Sequence, residues 1–321
     1  VAVPPLRTSP DRALAQLPVL SRLPVAVLAA LLALSVLAPG AAAAAAVPIA
    51  VTGALLGLPH GAVDHLVPWW WHGGRRASRR GVLLLTAGYA VAAGTAVAAI
   101  LLAPTPVLAV ALVLSAVHFG RAEVVAWAER AGRPSPGPSA DLLPCGAHGV
   151  AVVGLLLWCD PATTDPWLRA LSPVVADAAL ASRLVGLASV TVLVSAATVL
   201  LVVRGRALEA GELLLVAAVF AVAPPLAAFG AYFGLWHAVK HTGRLLDLAR
   251  EPGGEARWRA AAVRLVRAAA LPTAAALSAV TALWLLGDAA GLQVQVSVLL
   301  ALTFPHAAVV WLLDRRQVRR A

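Results

Sequence analysis

Long apolar stretches alternate with short basic ones along almost the whole chain. Runs long enough to cross ~30 Å of hydrocarbon as helices, about 20 residues each, fall at 23–39, 42–66, 81–102, 105–127, 142–158, 183–203, 209–227, 229–249, 262–286 and 292–313. The pattern predicts an all-α fold, a polytopic membrane helix bundle of about ten transmembrane helices. The runs 209–227 and 229–249 are separated only by a turn at Pro224-Pro225, which makes them the least secure pair. The segment 159–182, with Asp160-Pro161, Asp165-Pro166 and Trp167, reads as one sizeable outer loop carrying an interfacial helix. The proline-rich stretch from Arg133 to Pro138 reads as a linker.

Composition settles the class. In 321 residues, 61% are hydrophobic and only 12% charged, which is too apolar for a soluble domain of this length. A net charge of +10 raises nucleic acid as a partner, but the arginines lie in short clusters between apolar runs, with no accompanying binding motif. Topology accounts for them instead. Arg75, Arg76, Arg79 and Arg80, then Arg121, Arg130 and Arg133, then Arg204 and Arg206, then Arg250, Arg257 and Arg259, and finally Arg315, Arg316, Arg319 and Arg320 fall on alternate connections. The other side holds little beyond Arg169 and Arg183. By the positive-inside rule this gives an even number of spans with both termini cytoplasmic. The implied organisation is a cytoplasmic tail over 1–22, one membrane-embedded helical domain over 23–313 and a basic cytoplasmic tail over 314–321, in a multi-pass protein of the cell membrane. Arg7, Arg12 and Arg22 ahead of an apolar run also resemble a signal peptide, but the many later spans favour reading 23–39 as the first of them. Cys145 and Cys159 stand at opposite ends of one apolar run, where they suggest neither a disulfide nor a thiolate metal site.

The chemistry sits in the histidines. Of eight, seven lie in apolar runs, where ionisable groups are costly and default to function. His60 and His65 fall on the second predicted helix, His118 on the fourth, His237 and His241 on the eighth and His306 on the tenth. All four helices run in the same direction, so these imidazoles share one layer of the bundle. His237 and His241, spaced i, i+4, project from one helical face, which is chelating geometry. His60 and Asp64 share that spacing, so Asp64 reads as an acceptor behind a metal ligand, fixing a tautomer. Glycine follows both His60 and His118 and permits close approach of a neighbouring helix. His65 and His306, the latter after Pro305, read as supporting residues, and His72 and His148 as unrelated to the metal. A lone buried histidine is more often a hydrogen-bonding partner between helices than a ligand, so the case rests on the group.

Imidazole alone suits iron, zinc, copper or nickel. The lack of methionine and of paired cysteines argues against Cu(I) and iron–sulfur chemistry. Non-haem iron and haem ligation by two facing histidines both remain open on ligand type. Phe119, Tyr232, Phe233, Trp236 and Phe304, with Phe229, stand close to the histidines in sequence, while most of the membrane region is alanine, valine and leucine. Aromatic walls suit a flat conjugated hydrocarbon. A transporter with a transient ion site, or a carotenoid- or haem-binding membrane protein without turnover, stands as the alternative class. The first usually shows repeated halves and a charged pathway, and neither is evident.

The motifs Gly57-Leu58-Pro59-His60-Gly61-Ala62-Val63-Asp64, His118-Phe119-Gly120, Tyr232-Phe233 followed by Trp236-His237-Ala238-Val239-Lys240-His241, and Phe304-Pro305-His306 together resemble the Brp/Blh family of bacterial and archaeal beta-carotene 15,15'-dioxygenases. The resemblance covers about residues 45–313. It implies a membrane-embedded Fe(2+) enzyme that adds O2 across the central double bond of beta-carotene and releases two molecules of all-trans-retinal, with hand-off of product to a retinylidene protein. The family's iron ligands map onto His60, His118, His237 and His241. Ala238 and Lys240 stand where family members more usually have serine and arginine, a departure that bears on specificity more than on the metal.

Overall fold

The computed structural model describes residues 12–70, 78–137, 139–249, 256–286 and 289–318. It is all-helical, with no strand among the described residues. Besides the single turns Ala13–Gln16 and Val67–Trp70, the helices in chain order are α1 (Val19–Leu37), α2 (Pro39–Gly61), α3 (Arg79–Leu102), α4 (Pro104–Arg130), α5 (Leu142–Trp158), α6 (Pro161–Leu171), α7 (Pro173–Ala181), α8 (Arg183–Val203), α9 (Ala207–Val222), α10 (Pro225–Ala231), α11 (Ala238–Ala249), α12 (Ala256–Leu286) and α13 (Ala289–Val318). A 3₁₀ turn, Asp64–Leu66, comes after α2, and a π-helical turn, Tyr232–His237, joins α10 to α11.

Seven stretches among the described residues are long and apolar enough to cross a bilayer: Val19–Leu37, Pro39–Trp70, Arg79–Leu102, Pro104–Arg130, Arg183–Val203, Trp258–Ala279 and Ser297–Val318. They correspond to seven of the ten predicted spans. The other three are helical as well, but α5 has 17 residues and α9 has 16, about 25 Å at 1.5 Å per residue. The third is the run from Pro225 to Ala249, which is interrupted by the π turn. The segment 159–182 folds as α6 and α7, with α6 turned 94° from α5. Asp160 caps α6 by accepting from the Thr163 amide, and Arg169 pairs with both Asp165 and Asp177.

The distribution of apolar side chains fits a bilayer rather than water. Leu83, Val91, Leu184, Val185, Val192 and Leu271 are all more than 60% exposed on the flanks of the bundle, whereas the interior holds ion pairs. The main core joins α1, α4, α5, α8, α9 and α10 around Trp127, Tyr232 and Trp236. Where lipid supplies no hydrophobic drive, small residues let helices touch. A Cβ at Gly53 on α2 would lie 2.0 Å from the Gly230 carbonyl oxygen, and one at Gly234 would lie 2.2 Å from the Gly53 carbonyl oxygen. That backbone-to-backbone contact locks α2 against the π turn and thereby fixes the distance between the helices carrying His60 and His237.

Candidate metal centre

Five histidines from four separate parts of the chain meet in the interior. His60 stands on the last turn of α2, His118 on α4, His237 at the end of the π turn, His241 on α11 and His306 on α13. All five are buried. The His60 ring centroid lies 5.3 Å from that of His237, 5.4 Å from His241 and 4.9 Å from His306. His118 lies 5.0 Å from both His237 and His306. His241 and His306 are 5.5 Å apart. His237 and His241 stack at 6.4 Å with an 11° interplanar angle, as their i, i+4 spacing requires.

Three of the five are grouped closely enough to share an ion. His60, His237 and His306 each present a ring nitrogen, all within 4.8 Å of one another; two nitrogens on one ion at ~2.1 Å can be about 4.2 Å apart at most. The His118 and His237 Nε2 atoms are 3.3 Å apart, close to the separation expected of two nitrogens held near a tetrahedral angle on a common ion at ~2.1 Å. His60 Nδ1 donates to the Gly57 carbonyl, so its Nε2 is the atom free to bind. His241 Nδ1 and His306 Nε2 are buried with no hydrogen-bond partner. Buried polar nitrogens are rarely left so, and a divalent cation would satisfy them. The site is therefore one that can hold a metal ion.

The supporting residues fall differently from the spacing-based expectation. Helix α2 ends at Gly61, so Asp64 is on the 3₁₀ turn rather than one turn below His60. Its Oδ2 accepts from His306 Nδ1 at 2.8 Å and from the Tyr89 hydroxyl at 3.2 Å. Asp64 thus orients His306, a residue 242 positions away. His65, half-buried on the same turn, makes no ring contact with the cluster among the described residues. Gly120 does permit close approach, since a Cβ there would lie 2.0 Å from the Cys145 carbonyl oxygen; at Gly61 the nearest atom, His306 Nδ1, is 3.6 Å away. His148 bonds the Tyr232 hydroxyl at 2.9 Å, and His72 lies outside the described residues.

Aromatic side chains wall one flank. Phe233 stands 5.5 Å from His60 and stacks on Phe229 at 5.9 Å, and Phe229 is 36% exposed on the bundle surface. Phe119 contacts His118, His237, Phe229 and Tyr232. A Cβ at Gly57 would sit 2.3 Å from the Phe233 ring, so glycine there makes room for it. Tyr232 and Trp236 are fully buried, and Phe304 is half-buried beside the Ala96, Ile100 and Ala301 cluster.

Beneath the histidines lies a charged layer that the sequence pattern left unassigned. Lys240 Nζ donates to Glu123 at 2.5 Å and Glu212 at 2.9 Å and lies 3.8 Å over the Trp236 ring. The Trp236 indole also donates to Glu123, the Trp127 indole to Glu212, and Arg130 pairs with Glu212. Arg244 bridges Asp314 at 2.5 Å and Glu129 at 3.3 Å. His237, Lys240, His241 and Arg244 lie on one face of the same helical run, and with Glu123 they line a small cavity. The sequence signal for this layer is the placement of Glu123, Glu212, Lys240 and Arg244 within apolar runs.

An apolar helical bundle built around a buried group of convergent imidazoles defines a membrane-type protein with a site in its interior that can hold a metal ion. The chain belongs to the beta-carotene 15,15'-dioxygenase family, whose model matches residues 51–314. It is similar to the probable beta-carotene 15,15'-dioxygenase Blh of Halobacterium salinarum, with 28% identity over 305 residues covering 84% of each chain. No solved structure matches it. The matched region contains all five clustered histidines and Asp64.

Proposed function

We propose that the protein is an Fe(2+)-dependent enzyme of the cell membrane that cleaves beta-carotene with O2 at its central 15,15' double bond and yields two molecules of all-trans-retinal. The observation that carries this reading is the convergence of buried imidazoles from α2, α4, α11 and the π turn in a chain of the dioxygenase family. His60, His118, His237 and His241 hold the ion. When bound, iron activates dioxygen for reaction with the polyene.

The remaining work belongs to the chain. Phe229 opens on the flank of the bundle and stacks on Phe233, which faces His60. This is a lateral aromatic path along which a flat polyene leaves the bilayer and slides towards the centre. Phe119, Phe233 and Phe304 line the resting place, while buried Tyr232 and Trp236 back the wall and exclude water. Because the reactants are apolar, holding the central double bond in register is the main catalytic demand on the protein. The tails over 1–22 and 314–321 are cytoplasmic, 23–313 forms one domain crossing ten times, and retinal passes to a retinylidene protein.

Expression in a beta-carotene-producing bacterium tests the reading. Retinal should appear as carotene falls, and alanine at His60, His118, His237 or His241 should abolish it. Full turnover and iron content in His237→Ala would overturn the ligand set.

A further inference from the structure

The geometry points to His306 as a direct metal ligand, held by an Asp64–Tyr89 relay, in addition to the four histidines named above. The inference rests on the metal-centre reading and extends it. His306 Nδ1 hydrogen-bonds Asp64 Oδ2 at 2.8 Å. A carboxylate is acceptor-only when ionised, so Nδ1 carries the proton and Nε2 presents its lone pair. That Nε2 is buried with no hydrogen-bond partner. Around it stand His60 at 4.9 Å, His118 at 5.0 Å and His241 at 5.5 Å between ring centroids. A buried lone pair aimed among other imidazoles, with no protein donor in reach, is placed to bind a cation.

His306 also belongs to the tightest group of potential ligands, with His60 and His237. The two ligands flanking that trio, His118 and His241, are each in ring contact with it. Carboxylate backing is the usual support of a metal-bound imidazole: it fixes the tautomer and ring orientation and raises the ligand's basicity. Asp64 is itself placed by the Tyr89 hydroxyl at 3.2 Å, and that hydroxyl also reaches the Leu302 carbonyl at 3.5 Å, one turn from His306. Helix α3 therefore takes part in the site although it contributes no ligand.

With five imidazoles around an ion, little room would remain on it for another ligand, so the hydrocarbon substrate would be held by the protein, with the aromatic wall setting where along its length it is cut.

The test uses Co(2+) as a spectroscopic probe in the detergent-purified full chain, with affinity measured by chelator competition and coordination read from the d–d absorption bands. His306→Gln should weaken Co(2+) binding by more than about 100-fold and change the d–d spectrum. Asp64→Asn should weaken it by about 10- to 100-fold, the usual effect of removing a ligand's partner, and keep the wild-type band pattern. Should His306→Gln not fold, His306→Gly purified with imidazole provides the second arm, and added imidazole should restore the wild-type spectrum. Unchanged affinity and bands in His306→Gln, or no spectral response to imidazole in His306→Gly, would overturn the inference. If His118→Ala loses Co(2+) while His306→Gln keeps it, the four-histidine reading stands and only the fifth ligand falls. A wild-type protein that binds no Co(2+) would remove both.

Discussion

At the scale of single residues, the site depends on where side chains are absent as much as on where they are present. Gly57 lies one turn before His60, and the space its missing Cβ leaves is filled by the Phe233 ring. Gly57→Ala forces that ring to move, an overpacking change that typically costs about 1–3 kcal/mol. The expected outcome is a protein with lowered thermal stability and several-fold lower retinal formation. Combining it with Phe233→Leu should recover stability but not the rate, because the aromatic wall is then interrupted. Melting in detergent and product quantification separate the two effects. The i, i+4 spacing of His237 and His241 was legible in the sequence because it depends on one helix. The partner of Asp64 was not: local spacing pointed to His60, whereas the bond goes to His306, far along the chain.

At the scale of elements, the π turn Tyr232–His237 is the feature that helical periodicity hides. A π turn acts as one extra residue inserted in an α-helix, so it rotates the helix before it by about 100° relative to the helix after it. Here it lets α10 keep its glycine face on α2 while His237, at the end of the turn, and Lys240, His241 and Arg244 on α11 face inward. Deleting Leu235 should restore regular helix and break that division. The expected result is a chain that still inserts in the membrane but loses bound iron, measured as metal per chain by mass spectrometry. Retained iron would show that the turn is dispensable. The apolar runs did predict the helices, including α5 and α9, because burial in a bundle and crossing a bilayer demand the same residues. They did not predict the break after Gly61, since Asp64 leaves the helix to meet a side chain from α13.

At the scale of the whole molecule, the arginines have a second occupation. Read along the sequence Arg130 and Arg206 mark one side of the membrane, yet they are engaged with Glu212 and Asp141, and Arg244, inside a predicted span, is engaged with Glu129 and Asp314. No local pattern reveals such pairs, because the carboxylates come from other helices. Removing one member of a buried pair leaves an uncompensated charge and typically costs about 3–5 kcal/mol. Lys240→Met should therefore destabilise the protein strongly by stranding Glu123, while Glu212 keeps its pair with Arg130. The double change Lys240→Met, Glu123→Gln should recover much of that loss in the melting temperature. An alkaline phosphatase fused to the carboxyl end should stay inactive and a fluorescent protein there should fluoresce, as an even number of crossings with inside termini requires.

The bond between Asp64 and His306 also bears on how the protein is made. The carboxylate enters the membrane early in synthesis, and its partner arrives 242 residues later, a delay of roughly 10–50 s at about 5–20 residues per second. Throughout that interval the nascent bundle holds an acid without its partner and an incomplete ring of imidazoles. With His306 as a ligand, metal loading would be a late event awaiting insertion of α13, and an interrupted chain would carry a recognisable defect on which quality control can act.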